Sequence, residues 1–381
     1  MSAVPMRYEL PDSARAVLRA LATAGPATRP ALGDALGLSK PTMSTVIAEL
    51  TRLDLVAEQG SSRGATGRSA VVYSLAATAG HVLGVDVGAT RVRVSAHNID
   101  GQQLASAEQR VSQRRHNVTP ASVRAATDLV AKVRAKIGDT AGPLRDVVVA
   151  TPTVPSHDVG DSLLVDGVEG LPTALGLPDD VPVIVENNVN CAAIAEHRTG
   201  AARDQSLFAY LQVGVKIGAG VVIDGKLLRG AHGAGGEVTW MPFPWSSSVA
   251  PRRGELEDYL GSDALMQRAH QAWPAAAGPA PTDAEALFAA AGRGDAAARR
   301  LVDAHSRDIA RLVVGVMSVV DPGLVVLGGG VGQNPLVLPE VRRVVRALAW
   351  NTEITTGALG EQATVLGAVH VAISRSLDRI A

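Results

Sequence analysis

The sequence predicts an α/β protein, a two-lobed body behind a small helical module that ends in a β-ribbon. Two observations predict this. From about residue 81 onward, apolar strand-like runs alternate with helical stretches, the pattern of sheets covered by helices. Before that point, short helical periods are punctuated by glycine and followed by an alternating polar–apolar run. With 381 residues, 46% of them hydrophobic, the chain can bury the cores of two or three domains. The expected boundaries are a first domain over 1–78 and a body over 79–381. The body divides into one lobe at about 79–195, completed by the C-terminal helix, and a second at 196–360.

The first helix is expected over 13–24, where Val17, Leu18 and Leu21 share a face and Gly25-Pro26 ends the run. A second fits 30–36, and Gly37 turns the chain. Ser39 can cap a third helix whose first turn holds Lys40-Pro41 and whose one face carries Met43, Val46, Ile47 and Leu50. The other side presents Thr42, Ser44, Thr45 and Arg52, and VVYSL (71–75) follows GSSRGATGRS (60–69) as a hairpin wing. Residues 1–75 carry eight Lys/Arg against six Asp/Glu, a small surplus that also suits a packing or dimerisation module. The location of Lys40, Arg52, Arg63 and Arg68 favours a winged helix-turn-helix, because these side chains fall where DNA phosphates would lie. Ser39, Lys40, Thr42, Ser44, Thr45, Arg52, Arg63 and Arg68 are therefore the candidate DNA contacts.

Composition narrows the function. A formal net charge of −1 argues against a chain that coats nucleic acid along its length. The single cysteine, Cys191, excludes a disulfide framework and a multi-cysteine zinc site. No apolar run approaches the ~20 residues of a membrane span, and the N-terminus lacks an apolar signal core, so the expected location is cytoplasmic, without membrane contact.

In the body, HVLGVDVGATRVRVSAHNIDG (81–101) reads as strand, turn and strand, with Asp86, Gly88 and Thr90 at the turn. Such a turn can offer backbone N–H groups and a hydroxyl to a phosphate, and a plain β-hairpin is the alternative. VPVIVENNVNCAAIAE (181–196) is a strand feeding a helix, LQVGVKIGAGVVIDGKLLRGAHGAGGEVTW (211–240) a glycine-punctuated hairpin, and VDPGLVVLGGGVG (320–332) another strand running into glycines. ATVLGAVHVAI (363–373) is a closing apolar helix.

In this order the segments resemble the ROK family (repressors, open reading frames and kinases) over essentially the whole chain. The resemblance implies an actin-like sugar-kinase fold with two α/β lobes. With the winged helix in front, it is similar to the family's transcriptional regulators of the xylose-repressor and N-acetylglucosamine-repressor type. Those bind operator DNA as dimers or higher assemblies and sense a sugar or sugar phosphate.

The departures from the family's kinases carry the functional reading. The kinases place a general-base Asp where this chain has Asn188, and a carboxamide cannot take up a proton at neutral pH. A positioned base is worth on the order of 10²–10⁴-fold in rate. Asn187 and Asn188 either bind a hydroxyl or cap the following helix. The kinases' Gly-Glu-x-Gly-His run is here Gly236-Glu237-Val238-Thr239-Trp240, and the loop over 241–255 has no cysteine, so no zinc is expected. Trp240 either stacks on a sugar or, as the preferred expectation, fills the space of the missing zinc site. Pro242, Phe243, Pro244 and Trp245 would order the loop. Glu237 and Glu257 match sugar-binding positions, or serve as surface or ion-paired carboxylates. Asp86, Gly88, Thr90 and Lys216 mark degenerate nucleotide turns, because Val215 and Lys216 crowd the glycine-rich stretch VGVKIGAG. Lys216 either pairs with an anionic effector or swings to solvent. Thr153, in VVVATPTVP (147–155), replaces a sugar-side glycine.

The expectation is a DNA-binding repressor, homodimeric or homotetrameric, with a catalytically silent body that senses a sugar or sugar phosphate. It requires no cofactor, with nucleotide binding impaired. The alternatives are an ATP-dependent sugar kinase carrying an accessory N-terminal domain, and a regulator that has lost its effector.

Overall fold

The computed structural model describes residues 10–63, 69–88, 90–111, 118–138, 141–152, 170–241, 255–275 and 278–380. Arg68, Thr153, Pro242, Phe243, Pro244 and Trp245 lie outside the described residues, as does the side chain of Arg63.

Helices α1 (Asp12–Ala24), α2 (Arg29–Leu36) and α3 (Lys40–Arg52) accompany a small sheet of β1 (Ala27–Thr28), β2 (Val56–Arg63) and β3 (Ser69–Leu75), in the order β1-β3-β2. In α1 the stripe of Ala14, Val17, Leu18 and Leu21 is buried. Gly37 closes α2 in the left-handed region, at φ 65°, which a side chain would strain. Ser39 then caps α3, its Oγ accepting the Thr42 amide at 3.3 Å, while Met43, Val46, Ile47 and Leu50 go inward. Strand β1 has no counterpart in the sequence reading, since two residues carry no period.

The first lobe contains β4 (His81–Val87), β5 (Arg91–Asn98), β6 (Gln103–Arg110), α4 (Pro120–Ile137), β7 (Leu144–Thr151), α5 (Leu171–Ala174), β8 (Val183–Asn187) and α6 (Asn188–Thr199). Its sheet runs β6-β5-β4-β7-β8. The second lobe begins with β9 (Leu207–Val213), β10 (Ile217–Ile223) and β11 (Lys226–Leu227). Helices α7 (Glu255–Leu260), α8 (Ser262–Ala272), α9 (Ala284–Gly292) and α10 (Ala296–Val320) follow. It ends with β12 (Leu324–Gly328), α11 (Gly329–Gly332), α12 (Leu338–Leu348) and β13 (Glu353–Thr356), and its sheet runs β11-β10-β9-β12-β13. Both sheets use one plan, a three-strand antiparallel meander extended by parallel strands through helical crossovers. Strand β4 is buried throughout, which explains its apolar run from Val82 to Val85, with His81 and Asp86 buried as well.

The chain passes between the lobes twice, from α6 to β9 and from β13 to α13 (Ala363–Ile380), which packs back on α6, β4 and β7 of the first lobe. Glu196, fully buried on α6, ties the two passages together. Its Oε2 accepts the Ala201 amide at 2.7 Å and the Ala358 amide at 3.1 Å, and Oε1 accepts the Leu359 amide at 3.0 Å. Gly200 and Gly357 make room, because a Cβ on either would collide with this carboxylate. The N-terminal module is likewise docked. Buried side chains of α1 and α3 join one apolar cluster with Val82, Ile99, Leu377 and Ile380, and Arg19 pairs with Asp378 of α13 at 2.8 Å.

Among the described residues no helix is long and apolar enough to cross a membrane. Imidazoles that burial holds below their ordinary pKa, at His81, His97, His305 and His370, tie the fold to pH. His305 on α10 is 2% exposed, and burial, aided by the Arg268 charge, pushes it down to about 3. The unfolded chain takes up this proton near the ordinary histidine value and the folded chain does not, so stability falls as pH drops below about 6.5. His305→Gln is expected to make the loss of urea midpoint between about pH 6.5 and 4.5 shallower than in wild type; parallel losses would exclude this role.

Candidate DNA-binding face and ligand cleft

On α3, Lys40, Thr42, Ser44, Thr45 and Arg52 are all exposed, opposite the buried row. Ser39 is exposed too, but its hydroxyl is bonded to the Thr42 amide and, at 2.8 Å, to the Thr42 hydroxyl. The Thr45 hydroxyl donates back to the Pro41 carbonyl at 3.2 Å. Lys40 and Ser44 line a groove of about 380 Å³ between α2, α3 and β3, which also holds Leu38, Met43 and Tyr73. Arg29, absent from the sequence-based candidates, lines the same groove, its guanidinium 4.9 Å from the Tyr73 ring centre. Its position directly before Pro30, at a helix start, was the available signal.

Three consecutive residues of β10 assemble the cleft. The Ile217 amide donates to Glu257 Oε1 at 3.4 Å, Gly218 packs on Val189 beside Asn188, and the Ala219 amide donates to the Gly236 carbonyl at 3.0 Å, next to Glu237. Asn188, Lys216, Glu237 and Glu257 are thereby gathered around one strand. Asn187 is a helix cap, its Oδ1 accepting the Val189 and Asn190 amides at 2.8 and 3.2 Å. Asn188 is the half-buried first residue of α6.

Lys216 neither swings to solvent nor stands ready for an anion. Its Nζ donates to Glu257 Oε2 at 2.9 Å, with both side chains partly buried. Glu257 is thus an ion-paired carboxylate, the alternative to a free sugar ligand. Glu237 lies close enough to Glu257 that burial and the like charge together push its carboxyl above the usual range. Trp240 does not fill a zinc-sized space. It is 45% exposed at the end of a 3-10 turn, and Val238 takes the buried place at 8%. Reading the sequence also missed a second pair behind Asn188. Glu186, 2% exposed, accepts the Asn187 amide and the Asn190 side chain through Oε1 and meets Arg229 Nη2 through Oε2 at 2.6 Å.

The first turn is closed in the same manner. Gly88 and Thr90 sit in a tight hairpin, the Gly88 amide donating to the Arg91 carbonyl at 3.0 Å. Asp86 faces Arg93 across β4 and β5, with 3.4 Å between Oδ2 and Nη1. Burial pushes Asp86 up to about 6, with Arg93 pulling the other way. Arg93 also reaches Glu108 at 3.3 Å. Arg91 and Arg93 converge on one oxygen, Glu361 Oε2, each at 2.6 Å. The carboxylate of this turn is thus already faced by a guanidinium. Trp240 stands at the kinases' histidine position, and Cys191 is buried within α6. Among the described residues no group of three His, Cys, Asp or Glu side chains is placed to hold a metal ion.

A family model described as the ROK family matches residues 82–375. The chain belongs to the ROK family. A MarR-family model matches residues 8–65, the winged helix-turn-helix in front of the ROK body. A xylose repressor of Caldicellulosiruptor bescii is 23% identical over 376 residues, covering 92% of each chain. An N-acetylmannosamine kinase of Escherichia fergusonii is 28% identical over 313 residues, covering 77% of this chain and 99% of the kinase. The crystal structure of a ROK family transcriptional regulator, a homologue of the E. coli MLC protein, superposes with a TM-score of 0.74 at 20% identity and covers 96% of both chains. A ROK glucokinase from Streptomyces griseus, in complex with glucose and AMPPNP, superposes at 0.64 with 22% identity, covering 77% of this chain and all of the kinase. Kinases thus match the ROK body, while named repressors match body and winged helix together.

Proposed function

We propose that the protein is a DNA-binding transcriptional repressor whose ROK body binds a sugar-like effector and does not phosphorylate it. The observation that carries the reading is the exposed polar face of α3, Lys40, Thr42 and Ser44 beside Arg29, on a helix held by a buried apolar row. A short helix with small polar residues and a cation near its start suits a major groove, with phosphates taken by Lys40, Arg52 and the wing. The named repressors among its relatives support the same choice. Two copies related by a two-fold axis would read the halves of a palindromic operator.

Catalytic silence rests on three features acting together. Asn188 offers no base, Lys216 holds Glu257, and Arg93 faces Asp86. Asn188, Glu237 and Trp240 still present an amide, a carboxyl and an exposed indole for sugar hydroxyls and a sugar face. The test is a panel of hexoses, pentoses, N-acetylhexosamines and their phosphates, scored by thermal shift and by ADP release with ATP and magnesium. A stabilising sugar with no ADP above the protein-free control is expected. Sugar-dependent ADP release that Asp86→Ala abolishes would establish the kinase reading instead.

A further inference from the structure

We propose that the segment 357–362, which returns the chain from β13 to α13, is the hinge between the lobes, and that Glu361 is its latch. In this reading Glu361 holds the head of α13 to the first turn through Arg91 and Arg93. Its release changes how α13 meets the winged helix. The inference rests on the proposed repressor function for its output, and on geometry alone for its mechanism.

Two carboxylates touch this passage, and their surroundings assign them different roles. Glu196 is fully buried, accepts three backbone amides from both passages, and is boxed by Gly200 and Gly357. Moving it would strand several polar groups away from water, which makes it a fixed pivot. The Glu361 side chain is 66% exposed, and one of its oxygens bridges two guanidiniums whose side chains are only 20% and 11% exposed. Water competes for such a carboxylate, so the contact holds without being costly to open. The charges around it agree. Arg91 and Arg93 face Asp86, Glu108 and Glu361, one carboxylate in excess, and Glu361 is the most exposed of the three and the one that comes from the returning segment rather than from the first lobe's sheet.

Helix α13 begins two residues after Glu361 and runs 18 residues, about 27 Å, along α6, β4 and β7. Its far end carries Asp378, paired with Arg19 of α1, and Leu377 and Ile380, which join the cluster that holds the winged helix. One helix therefore runs from the β4–β5 turn, where Arg91 and Arg93 hold Glu361, to the back of the DNA-binding module.

Hydrogen exchange of the full chain, wild type against Glu361→Gln, tests the latch. The substitution keeps shape and exposure and removes the charge. Amide exchange in 357–366 and in 12–24 is expected to quicken by at least about threefold. Affinity for a duplex that the wild-type protein selects from random sequences is expected to change by a similar factor. Unchanged exchange in 357–366 would overturn the latch. Faster exchange there, with 12–24 and DNA affinity both unchanged, would overturn the coupling. Arg19→Ala combined with Leu377→Ala, which weakens both the polar and the apolar contact of α13 with the winged helix, is expected to reduce the effect of Glu361→Gln on DNA affinity, and an undiminished effect would contradict transmission through α13. Should the wild-type protein select no duplex, the repressor function fails, while the exchange comparison still decides the latch.

Discussion

Glu196→Ala is expected to lower the stability of the body by about 3–5 kcal/mol, since it removes the buried acceptor of three backbone amides and leaves a void. Each lost bond to a charged group is worth roughly 1.5–3 kcal/mol, and water entering the void recovers part of that. Because the amides come from 201, 358 and 359, both passages between the lobes should loosen together. A urea midpoint for the variant, compared with Glu361→Gln, separates the pivot from the latch. The pivot variant should lose most of its midpoint and the latch variant little. A Glu196→Ala protein as stable as wild type would show that the carboxylate does not hold the hinge.

On the DNA side, Lys40→Ala and Ser44→Ala are expected to differ in kind. Lys40, at the first turn of α3, is placed for a phosphate, so its removal should weaken binding to all duplexes alike and reduce the salt slope by about 1. Ser44, one turn further on the same face and lining the groove, is placed for a base edge. Its removal should cost about 1–3 kcal/mol on the preferred duplex and little on random DNA, flattening preference at one position. Fluorescence anisotropy across a salt series reads both quantities. Equal, salt-independent losses in the two variants would contradict the docking of α3.

Much of the fold was legible in the sequence because its strongest signals are local. The apolar stripe of α1, the Ser39 cap and the buried run of β4 are each written in consecutive residues, and the repeated strand–helix alternation conveys the two lobes. At the site, sequence reasoning reaches furthest where one residue alone sets the chemistry, since the carboxamide of Asn188 offers no base whatever surrounds it. The site was not legible where partners are distant in the chain. Lys216 and Glu257 are 41 residues apart, and Arg93 and Glu361 are 268 apart; no period or spacing joins them. Asp86 and Arg93 are an intermediate case, because a tight turn at Gly88 places them opposite each other, and counting back along the hairpin would have revealed the pair. Trp240 was misjudged because a large apolar side chain in a motif suggests filling, whereas the 3-10 turn directs Val238 inward instead.

The most direct test of a repressor built on a silent kinase scaffold is selection of duplexes from a random library by the purified full-length chain, followed by sequencing. The prediction is enrichment of an inverted repeat whose half-sites lie about one helical turn apart, lost when Lys40 and Ser44 are replaced together. A library that emerges unenriched would contradict it.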